Sequence, residues 1–258
     1  MAYLMAKRVE QGDAKLKNFV IKTIKWLDLS ISVLPGNFNS VPSGEKKYFR
    51  PFFSPWLADK KFDQTWSNVK GASTSRVETA YNLLTLLRQC NPEKGEIWEC
   101  GVYRGATAHL MASELSANGN KCTMRLFDTF SGIPESTEGL DDIRIGDLAN
   151  TSLMEVKNRV GKHKNLETDY HEGLVPDTFD GLEKSKITFL HIDLDMYVSV
   201  RAALDWTYTR LVSGAFVVLD DYGKPGTYGA KKATDEFLAD KPESLFFLPT
   251  GQAWFIKK

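Results

Sequence analysis

Neither sign of charge dominates this chain of 258 residues. Its 33 Lys and Arg residues face 33 Asp and Glu residues, so no global field draws it to nucleic acid or to an anionic membrane surface. Cysteine is scarce: Cys90, Cys100 and Cys122 are dispersed, odd in number and without CxxC spacing, which argues against a disulfide framework and suits a reducing cytoplasm. Long apolar runs are missing too. The most apolar N-terminal stretch, "FVIKTIKWLDLSISVLPG", is broken by Lys22, Lys25 and Asp28, so it cannot span a bilayer, and it lies too far in for a signal peptide. Internal repeats, an HExxH zinc motif, a Ser/His/Asp arrangement, a Walker A ending and a complete GxGxxG are all lacking, which removes support for several hydrolase and dinucleotide readings.

What is present describes a globular protein, 42% apolar and 26% charged, long enough to bury a substantial core. Leu16, Val20, Ile24 and Leu27 recur at helical spacing with lysines between them, the pattern of an amphipathic helix packed on the protein itself. Residues 35 to 75 are rich in Pro, Ser and aromatics without a period and read as an irregular connector, either a lid or subunit contact or a surface extension. Then "SRVETAYNLLTLLRQ" places Ser75 three residues before Glu78, a capping box, ahead of Val77, Tyr81, Leu84 and Arg88 at helical steps. The expected organisation is an extension over 1–74 and a principal domain over 75–258.

Within that domain the strand-like runs "EIWECGVY", "TMRLFDTF", "ITFLHIDLD" and "AFVVLDDYG" alternate with the helical segments "ATAHLMASEL", "LMEVKNRVG", "SVRAALDWTYTRL" and "AKKATDEFLA". Alternation of this kind predicts an α/β fold, a mainly parallel sheet covered on both faces. The last segment, "SLFFLPTGQAWFIKK", holds two strand-like runs around Pro-Thr-Gly, so the sheet is expected to close with an antiparallel strand.

Chemistry gathers at the ends of those strands. Gly101 and Gly105 bracket the first strand-to-helix turn, where glycine either lets backbone approach a nucleotide-like ligand or serves packing. Asp128 ends the next strand and is placed to accept hydrogen bonds from ribose hydroxyls. Asp193 and Asp195 in "HIDLDMY", and Asp220 and Asp221 in "VVLDDYG", crowd carboxylates at two further strand ends. Such crowding is costly unless a cation offsets it, and Mg²⁺, with its preference for oxygen ligands, is the expected ion. By strand alternation Asp193 and Asp195 should face one side with Leu194 opposite, leaving one acid free as a base; a capping role competes for Asp195. His191 lies within an apolar strand, suited to the core or to a place near the site. His171, Glu172 or Gly173 should border the ligand or pack, and His109 and His163 read as plain helix positions.

Taken together, "EIWECGVYRGATAHLMA", "LFDTFSGIPE", "HIDLDMYVSVRAALDWTY" and "GAFVVLDDYG" resemble the macrocin O-methyltransferase family, over about residues 75 to 240. The resemblance implies a class I (Rossmann-like) methyltransferase fold of seven strands, the last antiparallel, with S-adenosylmethionine as methyl donor and a sugar hydroxyl of a natural product as acceptor. It implies Mg²⁺ on Asp193, Asp220 and Asp221, Asp195 as general base, Glu99 and Gly101 beside the donor and Asp128 on its ribose. With Val102, Tyr103, Thr129, Gly173 and His191, these last three make up the expected cofactor set. Residues 131 to 150 fall where the family has a mobile substrate loop. A vicinal diol or glycosylated small molecule is the expected partner, in a cytoplasmic homo-oligomer. A catechol or phenol O-methyltransferase of the same fold, a DxD glycosyltransferase and a non-catalytic scaffold are the competing readings.

Overall fold

The computed structural model describes residues 53–119, 121–134 and 141–258. The amphipathic stretch 16–27, the connector up to residue 52 and residues 135–140 of the expected substrate loop lie outside them. The chain divides into two compact units, Met1–Lys60 and Lys61–Lys258. Of the first, the described part holds one 3-10 turn, Pro55–Leu57.

The second unit is built on a seven-stranded sheet: β1 (Glu96–Cys100), β2 (Cys122–Asp128), β3 (Leu166–Glu172), β4 (Ile187–Ile192), β5 (Leu211–Leu219), β6 (Phe246–Phe247) and β7 (Ala253–Ile256), in the spatial order β3-β2-β1-β4-β5-β7-β6. β1 to β5 pair in parallel, while β7 runs antiparallel to both β5 and β6. Sequence pattern explains the placement. All six residues of β4, "ITFLHI", are buried, as befits a mainly apolar strand covered on both faces. β3, at the edge, carries "LETDYHE" and is mostly half-exposed.

Six α-helices accompany the sheet among the described residues: α1 (Lys60–Val69), α2 (Val77–Leu87), α3 (Ala106–Ala117), α4 (Leu153–Val160), α5 (Tyr197–Thr207) and α6 (Tyr228–Leu238). None is long and apolar enough to cross a membrane. The core gathers around the fully buried Trp98, whose ring centroid stands 4.6 Å from Phe127 and 5.4 Å from Phe179. Truncating such a ring costs about 3–5 kcal/mol.

Three local expectations are corrected. Residues 60–69 form a helix rather than irregular connector, because Phe62, Trp66 and Val69 bury one face at helical spacing. Phe62 meets Tyr81 of α2 edge-on at 5.0 Å. The capping box at Ser75 is not made: α2 begins at Val77 with Arg76 in the cap position and no side-chain cap. The DLD segment is not in a strand either. β4 stops at Ile192, and Asp195 takes a left-handed φ of 60°, so a turn orients these acids.

The strand order reverses between β1 and β4, the place where open α/β sheets leave a crevice beyond their carboxyl ends.

Candidate active site

A cavity of about 810 Å³ opens at that crevice. One half is built from the loops after β1, β2 and β3, and Gly101, Tyr103, Asp128, Thr129 and Gly173 line it. Asp128 is the organiser there. Its Oδ2 accepts from the backbone N–H groups of Val102 at 2.6 Å and Tyr103 at 2.8 Å, and its Oδ1 accepts from Phe130 N–H at 2.7 Å. A carboxylate offers about four lone-pair sites, so one remains for a ligand hydroxyl. Tyr103 and Phe130 sit at φ of 50° and 49°, a conformation costly for large side chains that these hydrogen bonds help to hold. Val102 contributes its backbone and is itself buried.

Gly101 has a specific reason to be glycine. At φ of 88°, an added Cβ would stand 1.7 Å from the carbonyl oxygen of Asp193. The β1 and β4 loops therefore touch, and Asp193 N–H donates to Cys100 O at 2.8 Å.

The other half has an acidic floor. Asp193, Asp195 and Asp221 line the cavity, and Asp220, 1% exposed, lies behind them. Carboxylate oxygens of Asp193, Asp195 and Asp221 come within 4.8 Å of one another, and so do ligand atoms of His191, Asp193 and Asp220. All four expected aspartates are thus brought together. Asp221 Oδ2 accepts from Asp195 N–H at 2.9 Å, while Asp195 does not cap α5, whose cap residue is Met196. Burial, reinforced by the charges of Asp220 and Asp221, holds the Asp193 carboxyl well above the usual carboxylate range. Burial and the charge of Asp221 push Asp195 up to about 8. This donor set, crowded with carboxylate oxygen, fits a hard divalent cation.

Glu99 and His191 are wholly buried and do not line the cavity. His191 Nδ1 bonds Glu99 Oε1 at 3.0 Å, and its Nε2 faces Asp220 Oδ1 at 3.5 Å, beyond good hydrogen-bond length, so charge attraction governs that contact. Burial opposes protonation of the imidazole, but Asp220 and Glu99 outweigh it and raise its pKa to about 10. The pair braces the acid floor from behind. His171 stacks on Phe127 at 4.6 Å, with Gly173 next to it on the wall.

Three residues escaped the sequence reading. Lys224 extends its ammonium to Asp220 and to Asp221 Oδ1, the latter at 3.1 Å; its spacing of three and four residues from the pair was the available signal. Gln252 donates to Asp220 Oδ1 at 2.9 Å from inside the core. Asp141 accepts from Gly229 N–H at 2.7 Å and Tyr197 N–H at 3.5 Å, capping α5 and α6 together. Asp142 N–H adds a bond to Gly226 O at 2.8 Å. These contacts hang the wall formed by Asp142, Ile143 and Leu148 over the acids.

Several known O-methyltransferases are similar to this chain. A tetracenomycin-C 4'-O-methyltransferase of Streptomyces olivaceus, whose substrate is named as the 8-demethyl-8-(2,3-dimethoxy-alpha-L-rhamnosyl) compound, is 30% identical over 139 residues, 50% of this chain and 53% of that one. The match thus spans about half the length of that relative. Demethyldecarbamoylnovobiocin O-methyltransferase of Streptomyces niveus is 25% identical over 83% of this chain and 85% of its own. Among solved structures, the O-methyltransferase NovP aligns with a TM-score of 0.60 at 21% identity, over 70% of this chain and 80% of NovP. The calicheamicin methyltransferase CalS11 aligns at 0.56 and 20%, over 84% and 86%. At these identities the structures speak for the fold, a class I methyltransferase sheet. The family model for macrocin O-methyltransferases (TylF) matches residues 75–242, taking in every strand-end acid of the cavity, and the chain belongs to that family.

Proposed function

We propose that this protein is an S-adenosylmethionine-dependent O-methyltransferase that methylates a sugar hydroxyl on a small natural product, with Mg²⁺ held by Asp193, Asp220 and Asp221 and Asp195 as the base. The observation that carries the reading is the convergence of Asp193, Asp195 and Asp221 on the floor of a cavity, with Asp220 directly behind, whose other half has the glycine turn and acidic strand end suited to a nucleoside. Family membership and the sugar-linked names of the relatives support the acceptor class.

S-adenosylmethionine supplies a methyl group activated on sulfonium. Mg²⁺ supplies a Lewis acid that makes a bound hydroxyl more acidic. The chain's own residues do the remainder. Gly101, Tyr103, Thr129 and Gly173 shape the donor half, and Asp128 offers its free lone pair to a ribose hydroxyl. Ile143 and Leu148 cover the acceptor and keep water away. Asp195 takes the acceptor proton. Its carboxylate lines the cavity and accepts no hydrogen bond from the described residues, so it is free to receive that proton, the task of a positioned general base.

Calorimetric titration with S-adenosylhomocysteine, in chelator and again with Mg²⁺, tests the donor half. Binding in both conditions is expected, followed by metal-dependent turnover on a panel of glycosides and catechols. Failure to bind in either condition overturns the methyltransferase reading. Turnover that survives exhaustive chelation overturns the metal, and exclusive use of catechols overturns the sugar.

A further inference from the structure

The acid floor already has a cation of its own. Lys224 sits in the tight turn after β5, with its stem packed against Gly251, where an added Cβ would meet Lys224 Cγ at 3.2 Å. Thr227 Oγ1 shares its one proton between the carbonyl oxygens of Asp221 at 3.0 Å and Lys224 at 3.2 Å, closing the turn. The ammonium thereby lands on carboxylates that are only 2% exposed, although its own side chain is 30% exposed toward the cavity.

Each of the four oxygens of Asp220 and Asp221 accepts one hydrogen bond, and only the lysine brings a full charge with it. Asp221 Oδ2 is taken by Asp195 N–H, and Asp220 Oδ1 by Gln252 Nε2. Asp221 Oδ1 and Asp220 Oδ2 are taken by Lys224. The first two bonds come from backbone and from a fully buried amide; releasing them would leave buried donors unpaired. The last two come from a flexible four-carbon stem that can move into solvent. Any ion that needs oxygens from this pair can gain them at lowest cost from the lysine. Two cations cannot share the same carboxylate oxygens without strong repulsion.

From this we infer that Lys224 is the resident cation of the site: it neutralises Asp220 and Asp221 when no metal is bound, competes directly with a divalent ion, and swings into the cavity when that ion arrives. The inference rests on the metal reading above. It makes the lysine a positioning residue that lowers metal affinity and keeps the empty floor from repelling itself apart.

Mn²⁺ binding to the full-length protein, followed by electron paramagnetic resonance without donor or acceptor, provides the test. Lys224→Met should bind Mn²⁺ about tenfold or more tightly than wild type, and Lys224→Arg should not. Equal or weaker binding by Lys224→Met overturns the role of the lysine while leaving the metal site standing. No Mn²⁺ binding by either wild type or Lys224→Met overturns the metal reading, and this inference with it. A measurement on the wild type guards against a variant that fails to fold. Acetylation of the Lys224 amine by acetic anhydride, quantified by peptide mass spectrometry, should rise several-fold at saturating Mg²⁺ over chelator, and an unchanged rate overturns the displacement.

Discussion

Asp128, the last residue of β2, and Asp195, just past the end of β4, line the same cavity, yet the protein treats them in opposite ways. Asp128 receives three backbone N–H groups and ties two loops together. No hydrogen bond reaches the Asp195 carboxylate from the described residues, and burial drives its pKa to about 8. The donor half is finished by the chain itself. The acid half sets four aspartates against the Lys224 ammonium and the His191 imidazole behind Asp220, neither of which reaches the Asp195 carboxylate, and that imbalance suits it to a cation and a proton.

The largest break in this contrast should come from Asp195→Ala. As the proposed base it should lower kcat by about 10²–10⁴-fold while S-adenosylhomocysteine affinity by calorimetry stays within a few-fold. A kcat loss of only a few-fold would reduce Asp195 to positioning. Asp128→Ala should do the reverse. It strands three backbone donors, so chemical denaturation should show a loss of roughly 3 kcal/mol and donor affinity should fall at least in step. Asp128→Asn, which keeps one acceptor oxygen, should lie between.

A smaller effect sharpens the comparison through pH. Native Asp195 holds its proton up to about 8, whereas in the unfolded chain the group ionises near the ordinary value of about 3.9. Between those values the native state binds more protons, so this group's contribution to stability is full below the lower value and is lost as pH rises through 8. Melting curves of the metal-free protein from pH 5 to pH 8.5 should show that decline, and Asp195→Asn should flatten it. An unchanged slope in the variant would remove Asp195 as its source. The smallest effect is expected at Gly229→Ala. The new Cβ would stand 2.5 Å from an Asp141 carboxylate oxygen, so the wall over the acids must shift. Acceptor KM should rise several-fold with donor affinity unchanged; a matching loss of donor affinity would show that the wall serves both halves.

The sequence carried the sheet because β4 and β5 are apolar runs bounded by polar turns, and it carried the final antiparallel strand through Pro-Thr-Gly. It carried the four aspartates because strand ends are where α/β ligands bind. What it hid depends on distance or on turn geometry. Asp141 caps helices whose capped residues lie 56 and 88 positions away, and no local pattern announces that. The orientation of Asp195 comes from its left-handed backbone rather than from strand alternation. Helix α1 is hard to see in the sequence because Lys, Asp, Gln and Ser surround its three anchoring side chains, diluting the period. Glu99 and His191 lie two positions before the cavity-lining Gly101 and Asp193, inside β1 and β4 rather than beyond them, and that difference is legible only once the strand ends are fixed.

The contact at Gly101 has a practical corollary for redesign. With the β1 loop pressed against the Asp193 carbonyl, the donor pocket and the acid floor form one mechanical piece, and neither can be recut without disturbing the other. The wall from Asp142 to Leu148 is fastened separately, by Asp141 and Asp142 to the entrances of α5 and α6. Exchanging that segment between relatives, with both aspartates retained, is the route by which acceptor preference can be altered while the chemistry stays in place.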